Sequence, residues 1–279
     1  MNKLLKNSLL IVLAFVLTLS FVGCANGNFL SENQINKLGE KLGLEKTEDG
    51  FVNPTAFVTV NFVKDSHEYT VVFRYELLFD KAPVTVNNFI ALAKDGFYDN
   101  TVVDYTNEYY TVFGRYIING DGEYEKKTVK YTIKGEFEAN GWYVNGKDGT
   151  DNATHQIGCL GMYHDAQTAT KNYFDSASTA FYMTWSNAYG SDKVISNSNY
   201  AVFAYLTGTK VAIDDQLGND FVNGLDSALA TVMRKINTTS GVKTADGEQL
   251  YYAPTDSVKL VSVVIEGMSG SADTSYRIK

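Results

Sequence analysis

Cysteine and proline are nearly absent from this 279-residue chain, which has two of the first and three of the second, along with only three histidines. Cys24 ends an apolar leader and Cys159 stands alone in the rest, so no internal disulfide is available and a hydrophobic core must hold the fold. His67, His155 and His164 have no partners at metal-ligand spacing, and no metal or other cofactor is expected. The stretch "GKDGTDN", Gly146 to Asn152, lacks the bidentate Glu of a calcium loop, and Gly114, Gly120 and Gly122 lead into no phosphate-binding helix. Basic residues are the minority, 24 against 32 acidic, for a net charge of −8. An acidic body excludes nucleic acid as the expected partner. What the chain has in quantity is aromatic, 19 Tyr and 16 Phe, residues that suit strands and cores. A hydrophobic content of 44 % is that of a globular protein, and no second composition regime divides the chain.

The first residues read "MNKLLKNSLLIVLAFVLTLSFVGCANGN": Lys3 and Lys6, an apolar run from Leu9 to Val22, then Gly-Cys and a polar stretch. That is the pattern of a secretory signal. "FVGC" resembles a bacterial lipobox, with Phe21 in place of the usual Leu, which predicts cleavage before Cys24 and a lipid on Cys24. An uncleaved apolar anchor is the alternative. Both put the folded part on the extracytoplasmic face of a membrane. Removing residues 1–23 takes away two lysines and makes the charge −10.

Residues 24–50 read as a linker with one short helix, because Ser31 and Gln34 have capping-box spacing and Ile35, Leu38 and Leu42 share a face. From Phe57, "AFVTVNFV" and "EYTVVFRYELLF" alternate with period two around a polar turn at Asp65 and Ser66, the pattern of a half-buried hairpin. Pro83 then opens an amphipathic helix carrying Val86, Phe89, Ile90 and Ala93, and Gly96 ends it. Strands are expected at 101–106, 110–118, 127–133, 158–163, 179–185 and 200–206, a second helix with its stripe over Leu225–Ile236, and a last strand in "SVKLVSVVIE". This order predicts a mainly β domain over 51–267, a closed antiparallel barrel capped by two α-helices, with a loose tail at 268–279.

The stretch "DKAPVTVNNFIALAKDGFYDNT", followed in order by "YIINGDG", "GCLGM", "STAFYMTW" and "YAVFAYL", resembles the cyclophilin family of peptidyl-prolyl cis-trans isomerases over roughly residues 57–266. The resemblance implies a cyclophilin-like barrel, proline-containing polypeptides as partners, and a role in folding secreted proteins. It also implies a catalytic arginine in a Phe-His-Arg-Val strand. Laid over that strand, "VDYT" puts Tyr105 at the arginine, so the expected donor is missing. Arg115 is the candidate stand-in, since side chains two apart on a strand share a face and Arg115, Ile117 and Asn119 would then point together. The substrate groove implied by the resemblance consists of Tyr116, Ile117, Asn119, Met162, Tyr163, Phe181 and Tyr200, with Phe181 as its floor. Isomerase activity is therefore expected to be weak or lost. The alternative is a lipoprotein that binds peptide or cell wall without turnover.

Overall fold

The structure is a computed structural model that describes residues 29–144, 151–164, 173–185, 195–217, 221, 241–254 and 257–279. Helix α1, Glu32–Leu42, starts at the expected capping box: Ser31 N–H donates to Gln34 Oε1 at 2.9 Å while Gln34 N–H donates to Ser31 Oγ at 3.4 Å. It ends at Gly43, whose φ of 66° is left-handed. Leu38 and Leu42 are buried, so α1 docks on the domain and does not stand off as a stalk.

Two short strands, β1 (Lys46–Thr47) and β2 (Gly50–Phe51), lead into the long hairpin of β3 (Thr55–Lys64) and β4 (His67–Leu77). Burial along β3 alternates as its sequence does, and Asp65 and Ser66 take left-handed φ values of 51° and 67° at the turn. Helix α2, Pro83–Lys94, is buried along almost its whole length, where an amphipathic helix was expected. Its polar residues are used internally: Asn88 Nδ2 donates to the Ser178 carbonyl at 2.6 Å, and Asn87 Nδ2 donates to that of Asp273 at 2.7 Å. Ala82 gives α2 no side-chain cap. Glu136 supplies one from fifty residues away, its two carboxylate oxygens accepting from Val84 N–H at 2.9 Å and Thr85 N–H at 2.7 Å.

The remaining strands are β5 (Thr101–Val102), β6 (Tyr105–Thr106), β7 (Tyr110–Phe113), β8 (Tyr116–Ile118), β9 (Tyr124–Lys126), β10 (Leu160–Met162), β11 (Phe181–Thr184) and β12 (Val202–Ile213). After them come β13 (Gln216–Leu217), β14 (Val242–Lys243), β15 (Gln249–Leu250) and β16 (Lys259–Glu266). One antiparallel sheet runs β6-β7-β11-β10-β12-β4-β3-β16-β5-β8-β9, with β13 added to β12. Among the described residues its end strands, β6 and β9, do not pair. The sheet is a strongly curled, open half-barrel, which corrects the expectation of a closed barrel. The reason lies at Gly114, whose φ of 85° splits the expected strand 110–118 in two. Its first half pairs with β11 and its second with β5 and β9, towards opposite ends of the order.

Residues 127–133 do not form the expected strand; they make single bridges, Thr132 to Ile278 and Ile133 to Ala177. The tail expected to be loose is pinned. Asp273 N–H donates to Asn87 Oδ1 at 2.8 Å, and Gly270 and Ser271 N–H groups cap the last carbonyls of α1 at 2.9 and 3.0 Å. The expected helix at 225–236 lies outside the described residues. The main core lies between the sheet and α2, where the Phe89 ring sits 5.1–5.4 Å from those of Tyr98, Phe181 and Phe203. Each such buried aromatic contributes about 2 kcal/mol of transfer free energy.

Candidate active site

Strand β11 is buried on both faces, and its period of two separates two environments. Phe181 and Met183 belong to the main core, while Ala180 and Tyr182 belong to a second cluster with Tyr110, Val112, Ile195 and Tyr200. The β7–β11 register, Tyr182 opposite Val112 and Thr184 opposite Tyr110, builds that second face. Tyr105, Tyr109 and Tyr163 close its rim and are only half-buried. The rings interlock: Tyr105 stacks on Tyr110 at 5.3 Å, and Tyr182 meets Tyr110 at 5.7 Å and Tyr200 at 5.8 Å, both edge-on.

The ring of Tyr182 lies across Gly161, where any Cβ would stand 2.1 Å from Tyr182 Cζ and Oη. Glycine is the residue that lets the ring lie flat there. Its hydroxyl then reaches His155 Nε2 at 2.6 Å, and His155 Nδ1 reaches Asn197 Oδ1 at 2.6 Å. Asn197 Oδ1 also accepts from the His155 main-chain N–H, so Nδ1 carries the ring proton and Nε2 accepts from Tyr182. Burial holds His155 neutral by pushing its pKa down to about 4, against the opposing bond to Asn197. His164 stacks on Tyr200 at 4.4 Å and donates from Nε2 to the Asn199 carbonyl at 2.7 Å. Burial also drives the Tyr110 hydroxyl well above its ordinary pKa, which keeps it neutral.

The cation beside the cluster is Arg115. Its guanidinium lies over the Tyr163 ring at 4.8 Å, and Nη2 donates to Asp104 Oδ2. The Asp104 side chain is 1 % exposed and that of Arg115 25 %. Burial pushes the Asp104 carboxyl up, Arg115 pulls it back, and the guanidinium in turn is held charged by the carboxylate. Asp104 Oδ1 and Arg115 Nε are buried without a hydrogen-bond partner among the described residues.

A family model for cyclophilin type peptidyl-prolyl cis-trans isomerase/CLD matches residues 65–226, more than half of the chain. The chain belongs to the cyclophilin-type peptidyl-prolyl isomerase family. Two solved structures of a Cryptosporidium parvum cyclophilin type peptidyl-prolyl cis-trans isomerase, one of them in the presence of the dipeptide Ala-Pro, are similar to it. Each is 16 % identical, with a TM-score of 0.42, covering 75 % of this chain and 98 % of theirs. No curated protein matches it.

In this cyclophilin-type chain the residues expected in one groove are distributed over several places. Tyr105, Tyr163 and Tyr200 come together in the second cluster, with Arg115 beside them. Phe181 and Met162 do not join them; both are buried in the main core, Phe181 with no exposed surface. Tyr116 packs in a third cluster with Val102, Tyr124 and Ala253, and Ile117 sits opposite Glu125 in the β8–β9 hairpin. Asn119 is occupied by its own turn, Oδ1 accepting from Asp121 N–H at 3.0 Å and Glu123 N–H at 2.9 Å. The strand beside β11 is β7, so Tyr110 and Val112 lie with Tyr182, and Tyr116, Ile117 and Asn119 do not. The sequence reading missed Tyr110, Val112, Tyr182 and Ile195. Gly114 was the available signal: a glycine there ends β7 after Phe113 and separates it from β8. Gly114 is also required there, since its Cβ would stand 2.7 Å from the Thr179 carbonyl oxygen.

Proposed function

We propose that this chain is a membrane-anchored, extracytoplasmic cyclophilin-type protein that binds proline-containing polypeptides, with isomerase turnover weak. Rotation about an X-Pro bond loses amide resonance, and the twisted nitrogen gains a lone pair that a placed donor stabilises. The observation that carries the reading is the pairing of Arg115 with buried Asp104 beside the aromatic cluster. A guanidinium held by a carboxylate is a poorer donor to a developing lone pair than a free one. Tyr105, at the position the family resemblance gives to the catalytic arginine, offers only a neutral hydroxyl. The aromatic face retains what proline binding needs, an apolar bed with half-exposed rims at Tyr105 and Tyr163.

The test is NMR exchange on an Ala-Pro peptide with the full-length chain in a zwitterionic detergent. The peptide resonances shift on binding while cis-trans exchange rises little, and Tyr105→Arg raises exchange. Strong wild-type exchange that Arg115→Ala and Tyr105→Phe leave unchanged would overturn this reading. The same ion pair favours a second reading, a binding module without turnover, for which exchange at saturation equals that of the free peptide. Anchoring rests on the apolar run Leu9–Val22 and on Cys24. Its check is Cys24→Ala, which abolishes labelling by a radioactive fatty acid and releases the protein from membranes.

A further inference from the structure

Three cavities adjoin along the C-terminal segment of this acidic protein, with volumes of about 370, 510 and 410 Å³. Tyr131 and Lys279 border both the first and the second; Ser275 and Arg277 border both the second and the third. They form one groove in series. Its cations are distributed along it: Arg115, Lys126 and Lys127 in the first cavity, Lys130 and Arg277 in the second, Lys134 in the third, and Lys279 between the first two. No Asp or Glu lines any of the three, although the chain has 32 acidic residues against 24 basic ones. Charge of one sign has been gathered against the average of the molecule.

Few of the charges there have a carboxylate within ion-pair distance, although Asp104 and Asp246 act on Lys126 from further away. Asp104 opposes Arg115. Lys126, Lys127, Lys130, Lys134 and Arg277 make no ion pair with a carboxylate among the described residues. Three of these are instead set against aromatic faces: Lys127 over Phe97 at 4.6 Å, Lys134 over Phe29 at 5.0 Å and Arg277 over Tyr131 at 4.2 Å. Ring contacts hold the stems without supplying a countercharge, and Lys127 Nζ also donates to the Phe97 carbonyl at 2.5 Å. Thr128, Thr132 and Ser275 add hydroxyls to the walls. Tyr163 and Ala180, which line the first cavity, also belong to the aromatic cluster, so the groove opens beside the candidate proline site.

We propose that this groove binds an acidic stretch of the same polypeptide whose proline occupies the aromatic cluster. The inference rests on the prolyl-peptide reading of that cluster and adds a substrate class to it. In an extended chain the side chains of one face recur about every 6.6 Å, which lets alternate Asp or Glu residues enter successive cavities. A planar bilayer surface cannot follow a concave series of this kind. Attraction between exposed charges is moderate for each pair and strongly screened by salt, so its main effect is selection among peptides.

The test uses the full-length chain in zwitterionic detergent and Ala-Pro peptides flanked by four Glu or four Gln residues on either side. At low salt one Glu peptide binds about tenfold tighter than its Gln counterpart, and the difference disappears at high salt. The triple variant Lys126→Glu, Lys130→Glu, Lys134→Glu, confined to exposed side chains, removes the preference and leaves the Gln peptide unchanged. Equal affinity for Glu and Gln peptides overturns the groove while the prolyl reading stands. Failure of every peptide to bind overturns both. A Pro→Ala version of the Glu peptide that binds as well as its parent, and loses binding in the triple variant, supports the groove and removes the prolyl reading. If vesicles of phosphatidylglycerol, and not the peptides, perturb the amides of residues 126–134, the groove proposal is overturned in favour of a membrane contact.

Discussion

The Tyr182 hydroxyl stands 2.6 Å from Nε2 of buried His155, and the bond ties the deepest ring of the aromatic cluster to a side chain outside it. Removing the hydroxyl and displacing the ring are separable perturbations. Tyr182→Phe keeps the ring over Gly161 and leaves Nε2 without its donor, at a cost of about 1–3 kcal/mol. Gly161→Ala instead puts a methyl where the ring lies. Chemical denaturation and peptide titration of both variants should show moderate destabilisation with binding retained in the first, and loss of binding in the second.

Asp104 and Arg115 should behave as a coupled pair. Arg115→Ala strands a carboxylate whose side chain is 1 % exposed, and breaking such a pair costs about 3–5 kcal/mol. Asp104→Asn with Arg115→Ala removes both charges and should recover part of that loss. A double-mutant cycle by urea denaturation measures the coupling. Additive single costs would mean that the pair contributes nothing beyond its separate members.

Glu136 ties stability to pH. Burial raises its pKa from 4.5 to about 7, outweighing the pull of the Val84 and Thr85 N–H groups in the opposite direction. The folded carboxyl therefore holds its proton in a range where the unfolded one has lost it. Its contribution is complete below about pH 4.5 and is lost as pH rises through about 7, up to about 3 kcal/mol in all. The thermal midpoint should fall between about pH 5 and pH 8. In Glu136→Gln, which cannot titrate, this part of the slope should vanish.

Much of the fold was legible because the signals there are local. The hairpin 55–77 alternates with period two, and Pro83 begins α2 as its sequence indicates. The site was harder to read, since alternation identifies the buried side only when the other side is wet. On β11 both faces are buried, so Phe181 and Tyr182 are equally credible pocket residues by pattern alone. Register decides between them, and register depends on where Gly114 breaks the preceding strand. The cap from Glu136 to α2 was equally invisible, because its partners are fifty residues apart and no helix-start motif contains a distant carboxylate.

The assignment of the pocket to Tyr182 rather than Phe181 can be tested by pairing a core deletion with a rim deletion. Phe181 packs against Phe89 at 5.4 Å, Tyr98 at 5.3 Å and Phe113 at 5.5 Å, with none of its surface exposed. Truncating it leaves a cavity within the main core, and Phe181→Ala should cost about 3–5 kcal/mol. Peptide affinity per folded molecule should hardly change, because the ring points away from the second cluster. Tyr105 is half-buried at the rim, stacked on Tyr110 at 5.3 Å and near Tyr252 at 5.1 Å. Tyr105→Ala should cost only about 1 kcal/mol of stability, since one exposed edge and part of a stack are lost, yet it removes a wall that a bound proline ring would touch. Measuring unfolding and binding for both variants separates the roles. If Phe181→Ala abolishes binding in molecules that remain folded while Tyr105→Ala binds normally, the proline pocket lies on the Phe181 face of the sheet.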